Sequence, residues 1–182
     1  MFGNIKTLKS HVKLAVAAAG LLALVALPSK VEAASGPFAA LSGSWSGGGT
    51  ITMSSGTKER IRCRAQYNVG GSGSNVDLTL KCASDSFTFV LQSNANYSNG
   101  AVSGTWNETT RGVGGSIEGS GNAGSIKVRV SGIISAMLAV NTVADQQSIS
   151  IQAPGTEMQH VAISLSRKPA VQQVSRLSDK AK

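Results

Sequence analysis

Side chains able to do acid–base or nucleophilic chemistry are scarce in this chain of 182 residues. Of its two histidines, His11 falls in the N-terminal segment, and His160 stands alone on an alternating run. Ser164 and Ser166 lie near His160, but a serine–histidine triad also needs a carboxylate to orient the base. The acidic residues Glu59, Asp77, Asp85, Glu108, Glu118, Asp145 and Glu157 are scattered, without the spacing of a calcium loop. Cys63 and Cys82 are too few for a zinc set, and a bridged pair supplies no nucleophile. No glycine-rich phosphate loop ends in a lysine. The residues therefore argue against an enzyme and predict neither a cofactor nor a metal.

Two constellations remain. In Lys58-Glu59-Arg60-Ile61-Arg62-Cys63-Arg64 the four cations Lys58, Arg60, Arg62 and Arg64 take alternate positions, which on a strand is one face. Ile61 and Cys63 claim the core side, so the cations are expected to face solvent. Such a row blunts edge pairing, or it offers an anion-binding stripe to lipid headgroups or acidic polysaccharide. The second is Glu108, two residues after Trp106 and so on the same strand face. A carboxylate on an inner face needs a partner, or burial raises its pKa. Arg111 is the partner expected from proximity, and a ligand is the other.

The N-terminus sets the compartment. Lys6, Lys9 and Lys13 lead into an uncharged apolar run, Leu14–Leu27, of 14 residues. About 20 are needed to span a bilayer, whereas the apolar part of a signal peptide runs about 7–15. Val31-Glu32-Ala33 then resembles a bacterial cleavage site. Residues 1–33 are read as a signal peptide cut after Ala33, with an uncleaved anchor as the other reading. The predicted location is the bacterial periplasm or outside the cell, with no transmembrane span after processing. The formal charge of +8 for the whole chain would suggest nucleic acid. Residues 34–182, however, carry 13 basic and 8 acidic side chains, and Arg167, Lys168, Arg176, Lys180 and Lys182 cluster at the end. A near-neutral body argues against a nucleic-acid partner.

Beyond the leader, Gly, Ser, Thr, Asn and Val dominate. Short alternating runs separated by turn residues predict an all-β domain over 34–168, followed by a flexible basic tail, 169–182. Cys63, Ala65 and Tyr67 share a face, as do Leu78, Leu80 and Cys82. Pairing Tyr67 with Leu78 puts Cys63 opposite Cys82, so a disulfide between neighbouring strands is expected. A turn at Ser84-Asp85 would set Cys82 opposite Phe87, Leu80 opposite Phe89 and Leu78 opposite Leu91. Asn99-Gly100 signals a tight hairpin that pairs Tyr97 with Val102. The sequence of hairpins predicts a single up-and-down antiparallel β-barrel of about 8–10 strands. A two-sheet β-sandwich is the alternative.

Leu41-Ser42-Gly43-Ser44-Trp45, followed by a glycine-rich strand, resembles the opening strand of the calycin barrels, the lipocalins and avidins. That resemblance implies a barrel holding a small ligand, with Trp45 packed at one barrel end. Small inner residues such as Gly47, Gly104 and Gly115 leave room for a cavity, or else permit strong strand coiling. A ligand site would use Phe87, Phe89, Leu91, Tyr97, Trp106 and Glu108, with Met137 also on the wall. The functional expectation is a non-catalytic barrel binding a small apolar or amphipathic ligand. The alternative is an envelope or secreted interaction protein using Arg60, Arg62, Arg64 and the tail to bind anionic lipid, polysaccharide or a protein.

Overall fold

A computed structural model describes residues 36–169. The predicted signal peptide, 1–33, and all of the predicted tail beyond Pro169 lie outside the described residues. Ten antiparallel strands follow one another: β1 (Gly43–Met53), β2 (Lys58–Gly70), β3 (Asn75–Ala83), β4 (Thr88–Ser98), β5 (Ala101–Glu108), β6 (Val113–Asn122), β7 (Ser125–Gly132), β8 (Ala136–Val143), β9 (Gln146–Gln152) and β10 (Met158–Arg167). Each pairs with its sequence neighbours, and β10 returns to pair with β1. The result is a closed up-and-down barrel, and the sandwich alternative is set aside. Alternation drives it: Ile61, Cys63, Ala65 and Tyr67 of β2 are buried, while Arg60, Arg62, Arg64 and Gln66 between them are exposed.

Glycine makes the closure possible. Strands in a barrel must coil and tilt. At Gly47 a β-carbon would sit 2.0 Å from the carbonyl oxygen of Ser164, and at Gly115 it would sit 1.6 Å from that of Ser131. The inner glycines thus lie where a neighbouring strand's backbone passes through the space a side chain would need. Strand coiling, rather than spare room, accounts for them.

One end of the barrel is plugged. A 3-10 turn, Ala39–Leu41, carries Phe38 and Leu41 into the opening, both almost fully buried. The Phe38 amide donates to the Gly73 carbonyl and the Gly36 amide to that of Ser72, which ties the plug to the β2–β3 turn. Trp45 packs beneath, its indole N–H donating to the Leu41 carbonyl at 2.7 Å. Arg167 lies 4.3 Å from the centroid of the Trp45 ring. Its guanidinium donates to the carbonyls of Ala40 and Ser42 and to the Asp145 carboxylate. Inside this end the Tyr67 hydroxyl donates to Gln147, whose amide donates to Thr142. All three are buried, and each polar group has its partner.

The β2–β3 register matches the sequence reading, with Cys63 opposite Cys82 and a disulfide joining them. The Tyr97–Val102 pairing holds as well, across an Asn99-Gly100 turn in which both residues take positive φ. The β3–β4 register does not match. Cys82 faces Phe89, Leu80 faces Leu91 and Leu78 faces Ser93. The turn takes four residues, Ser84–Phe87, because the Ser84 amide donates to the Phe87 carbonyl and the Ser84 hydroxyl accepts from the Phe87 amide. Met137 is also corrected. It points outward and is 43% exposed, since Ala136, Leu138, Val140 and Thr142 take the inner positions of β8.

Candidate functional site

The other end carries the turns 54–57, 84–87, 109–112, 133–135 and 153–157. Inner side chains near it are Phe89 and Leu91 of β4, Val113 of β6, Val130 of β7, Leu138 of β8 and Ile151 of β9. All six are half-buried, whereas Trp45, Ile51, Ile163 and Leu165 on the opposite wall are at most 2% exposed. The core is therefore tight along β1 and β10 and more accessible toward the mouth on the side of β4 and β6–β9. Ile133, 82% exposed, and Ile134 form an apolar lip on the turn between β7 and β8.

The structure divides the six predicted ligand residues. Phe89 and Leu91 line the mouth. Phe87 sits in the rim turn, half-buried. Trp106 is buried on the inner wall of β5, and its indole N–H donates to the Ser131 carbonyl at 3.2 Å. It reaches β7 over Gly115, its partner on β6, which has no side chain to block it. Tyr97 does not join them. It lies on β4 beside the Asn99-Gly100 turn at the plugged end, roughly 20 Å along the strand from Leu91 at about 3.3 Å per residue.

Glu108 closes β5 at the mouth, 8% exposed. Its carboxylate accepts from the amides of Val90 at 3.0 Å, Thr110 at 3.0 Å and Arg111 at 2.8 Å. The Arg111 guanidinium stands 3.5 Å away. Burial by itself would raise the pKa. Hydrogen bonds from the Thr110 side chain and from the three amides outweigh burial and pull the pKa down to about 2. A carboxylate so committed holds the β5–β6 turn and the edge of β4. It is not tuned for proton transfer near neutrality. Glu59 does similar work at the rim, accepting from the Ser86 amide at 2.8 Å. Hydrogen bonds from Ser84 and Ser86 lower its pKa.

Lys58, Arg60, Arg62 and Arg64 all stand exposed on the outer wall of β2. His160 is on the outer wall of β10, with its Nε2 3.3 Å from the Ser150 hydroxyl. Among the described residues no three His, Cys, Asp or Glu side chains converge on a metal-sized point. No helix among them is long and apolar enough to cross a membrane. Two further cations, beside Arg64, are not singled out by the sequence. Lys81 of β3 faces Arg64 of β2, and Lys168 follows β10. With Arg64 they meet around a shallow depression because the β1–β2, β2–β3 and β1–β10 registers converge there.

The fold and this mouth define the class: a closed ten-strand antiparallel barrel, consistent with the calycin-like architecture suggested by Gly43-Ser44-Trp45. No protein-family model matches the chain, and no curated protein sequence matches it. Among solved structures it is similar to the crystal structure of Rv2717c from M. tuberculosis, with a TM-score of 0.57 and 13% sequence identity, over 71% of this chain and 94% of that one. At that identity the likeness is one of fold.

Proposed function

We propose that this protein is an exported, non-catalytic barrel that binds a small apolar or amphipathic ligand through its unplugged end. The observation that carries the reading is the asymmetry of burial. Most inner apolar side chains beneath the Phe38–Trp45 plug are buried, whereas Phe89, Leu91, Val113, Val130, Leu138 and Ile151 toward the mouth are half-buried. Exposed apolar surface rimmed by polar turns marks a site of interaction. The Ile133-Ile134 lip extends that surface outward. Glu108 and Glu59 brace the turns around it, so the rim is ordered before a ligand arrives, which lowers the cost of binding. Export rests on the Leu14–Leu27 run with its lysines, and the Cys63–Cys82 disulfide is in keeping with it.

A fluorescent fatty acid such as cis-parinarate tests this. Saturable binding by the purified chain is expected, near one probe per barrel. Leu91→Arg should abolish it by placing a charge in the mouth. Leu138→Trp, which fills the mouth without charge, should weaken it. Absence of saturable binding, or equal binding by both folded variants, would remove the proposal.

A further inference from the structure

The outer wall across β1, β2 and β3 carries a cluster of cations that the ligand-binding reading does not use. Arg64 and Lys81 are direct partners across β2 and β3, both facing outward and both exposed. Directly opposed side chains on one sheet face have β-carbons about 5 Å apart, and like charges there destabilise the pair. Lys168 comes to the same place from β10, because its amide donates to the Ser44 carbonyl at 2.8 Å and so anchors the chain beside β1. Together with Ser44, Gln66 and Thr79 these three cations border a shallow depression of about 370 Å³.

No carboxylate lines this depression. Among the described residues the ion pairs are Arg111–Glu108 and Arg167–Asp145, and none of the three cations takes part in either. Asp77, the other charged residue on the outer face of β3, lies four positions from Lys81, roughly 13 Å away at about 3.3 Å per residue. Among the polar residues, Gln66 is set to donate. The Ser44 hydroxyl donates to the Gln66 side-chain oxygen, which leaves both Gln66 amide protons directed elsewhere. The guanidinium presents a two-pronged donor fork, and the two ammonium groups are point charges on flexible stems. One carboxylate would occupy the fork and leave both lysines unmatched. A phosphate dianion offers an oxygen edge to Arg64 and further oxygens to Lys81 and Lys168.

We infer that Arg64, Lys81 and Lys168, with Gln66, form a binding site for a phosphate group on the outer wall of the barrel. The site lies on the outer wall and does not depend on what the inner face of the mouth binds. Phosphate relieves the repulsion between Arg64 and Lys81, so occupancy also stabilises the β2–β3 pairing. The group comes either from a free phosphomonoester or from a phosphomonoester lipid headgroup.

The test is a nitrogen-15 amide titration with inorganic phosphate, with chloride at matched ionic strength as the control. Saturable shifts are expected at Ala65, Gln66, Lys81 and Lys168. The double variant Arg64→Gln/Lys81→Gln should weaken the affinity by about tenfold or more, since it removes two charge-assisted contacts. Lys168→Gln, just past β10, should weaken it less and leaves the strands untouched. Co-sedimentation with vesicles containing phosphatidic acid, against phosphatidylglycerol of equal content, separates the sources. Preference for phosphatidic acid identifies a headgroup site, and phosphate binding without vesicle binding identifies a soluble one. Shifts matched by chloride, or unchanged in both variants, would overturn the site.

Discussion

Replacing Glu108 by glutamine isolates one charged contact at the mouth. The carboxylate is 8% exposed and accepts three backbone amides. Its pKa falls from an ordinary 4.5 to about 2. Each unit is worth about 1.4 kcal/mol, so ionised Glu108 contributes about 3 kcal/mol to folding above its unfolded pKa. Because the folded pKa is the lower one, that contribution is complete at neutral pH. It disappears as pH falls from about 4.5 to about 2. Glutamine keeps one accepting oxygen and loses the charge. Urea denaturation at pH 7 should therefore show Glu108→Gln destabilised by about 2–3 kcal/mol. The gap to the parent protein should narrow steadily below pH 4.5 and nearly close at pH 2. A gap that stays constant down to pH 2 would refute the reasoning. It would mean that the carboxylate's charge is not what holds the β5–β6 turn.

Two further perturbations read the frame. Converting Cys63 and Cys82 to alanine opens a disulfide with a sequence separation of 19, and the urea midpoint should fall by an amount equivalent to about 3 kcal/mol. Gly115→Ala forces a β-carbon against the Ser131 carbonyl and should cost about 2 kcal/mol or more. Gly70→Ala, with nothing within 4 Å of the added carbon, should be within about 0.5 kcal/mol of neutral. Equal costs at the two glycines would show that the inner positions do not enforce coiling.

Much of this fold is legible in the sequence because strand alternation is strict. Tyr67, Ala65 and Cys63 can face Leu78, Leu80 and Cys82 in one way that also joins the cysteines, and the β2–β3 register follows. The β3–β4 register is less determined. A slip of two residues keeps every apolar side chain on its face, so patterning cannot tell Cys82–Phe87 from Cys82–Phe89. That choice rests on the Ser84 hydroxyl capping a four-residue turn. Met137 misleads because Ala136–Val140 is apolar at every position, which hides the alternation. The site is less legible still. Leu91 and Tyr97 share a face of β4, yet the strand's length carries them to opposite ends of the barrel. The Arg64–Lys81 pair follows from the legible β2–β3 register, and only the closed ring brings Lys168 beside it.

The pairing of β10 with β1 has a kinetic consequence. Nine of the ten contacts around the ring join consecutive strands through short turns, and they can form locally. The tenth waits for the last strand, and its clamp spans 127 residues between Arg167 and Ala40. Until it forms, the growing sheet has two open edges, a state prone to mispairing. Contacts so distant in sequence are slow to form. The seam between first and last strands is then the final step of folding. The Trp45–Arg167 stack then joins the two ends of the chain's barrel across the seam.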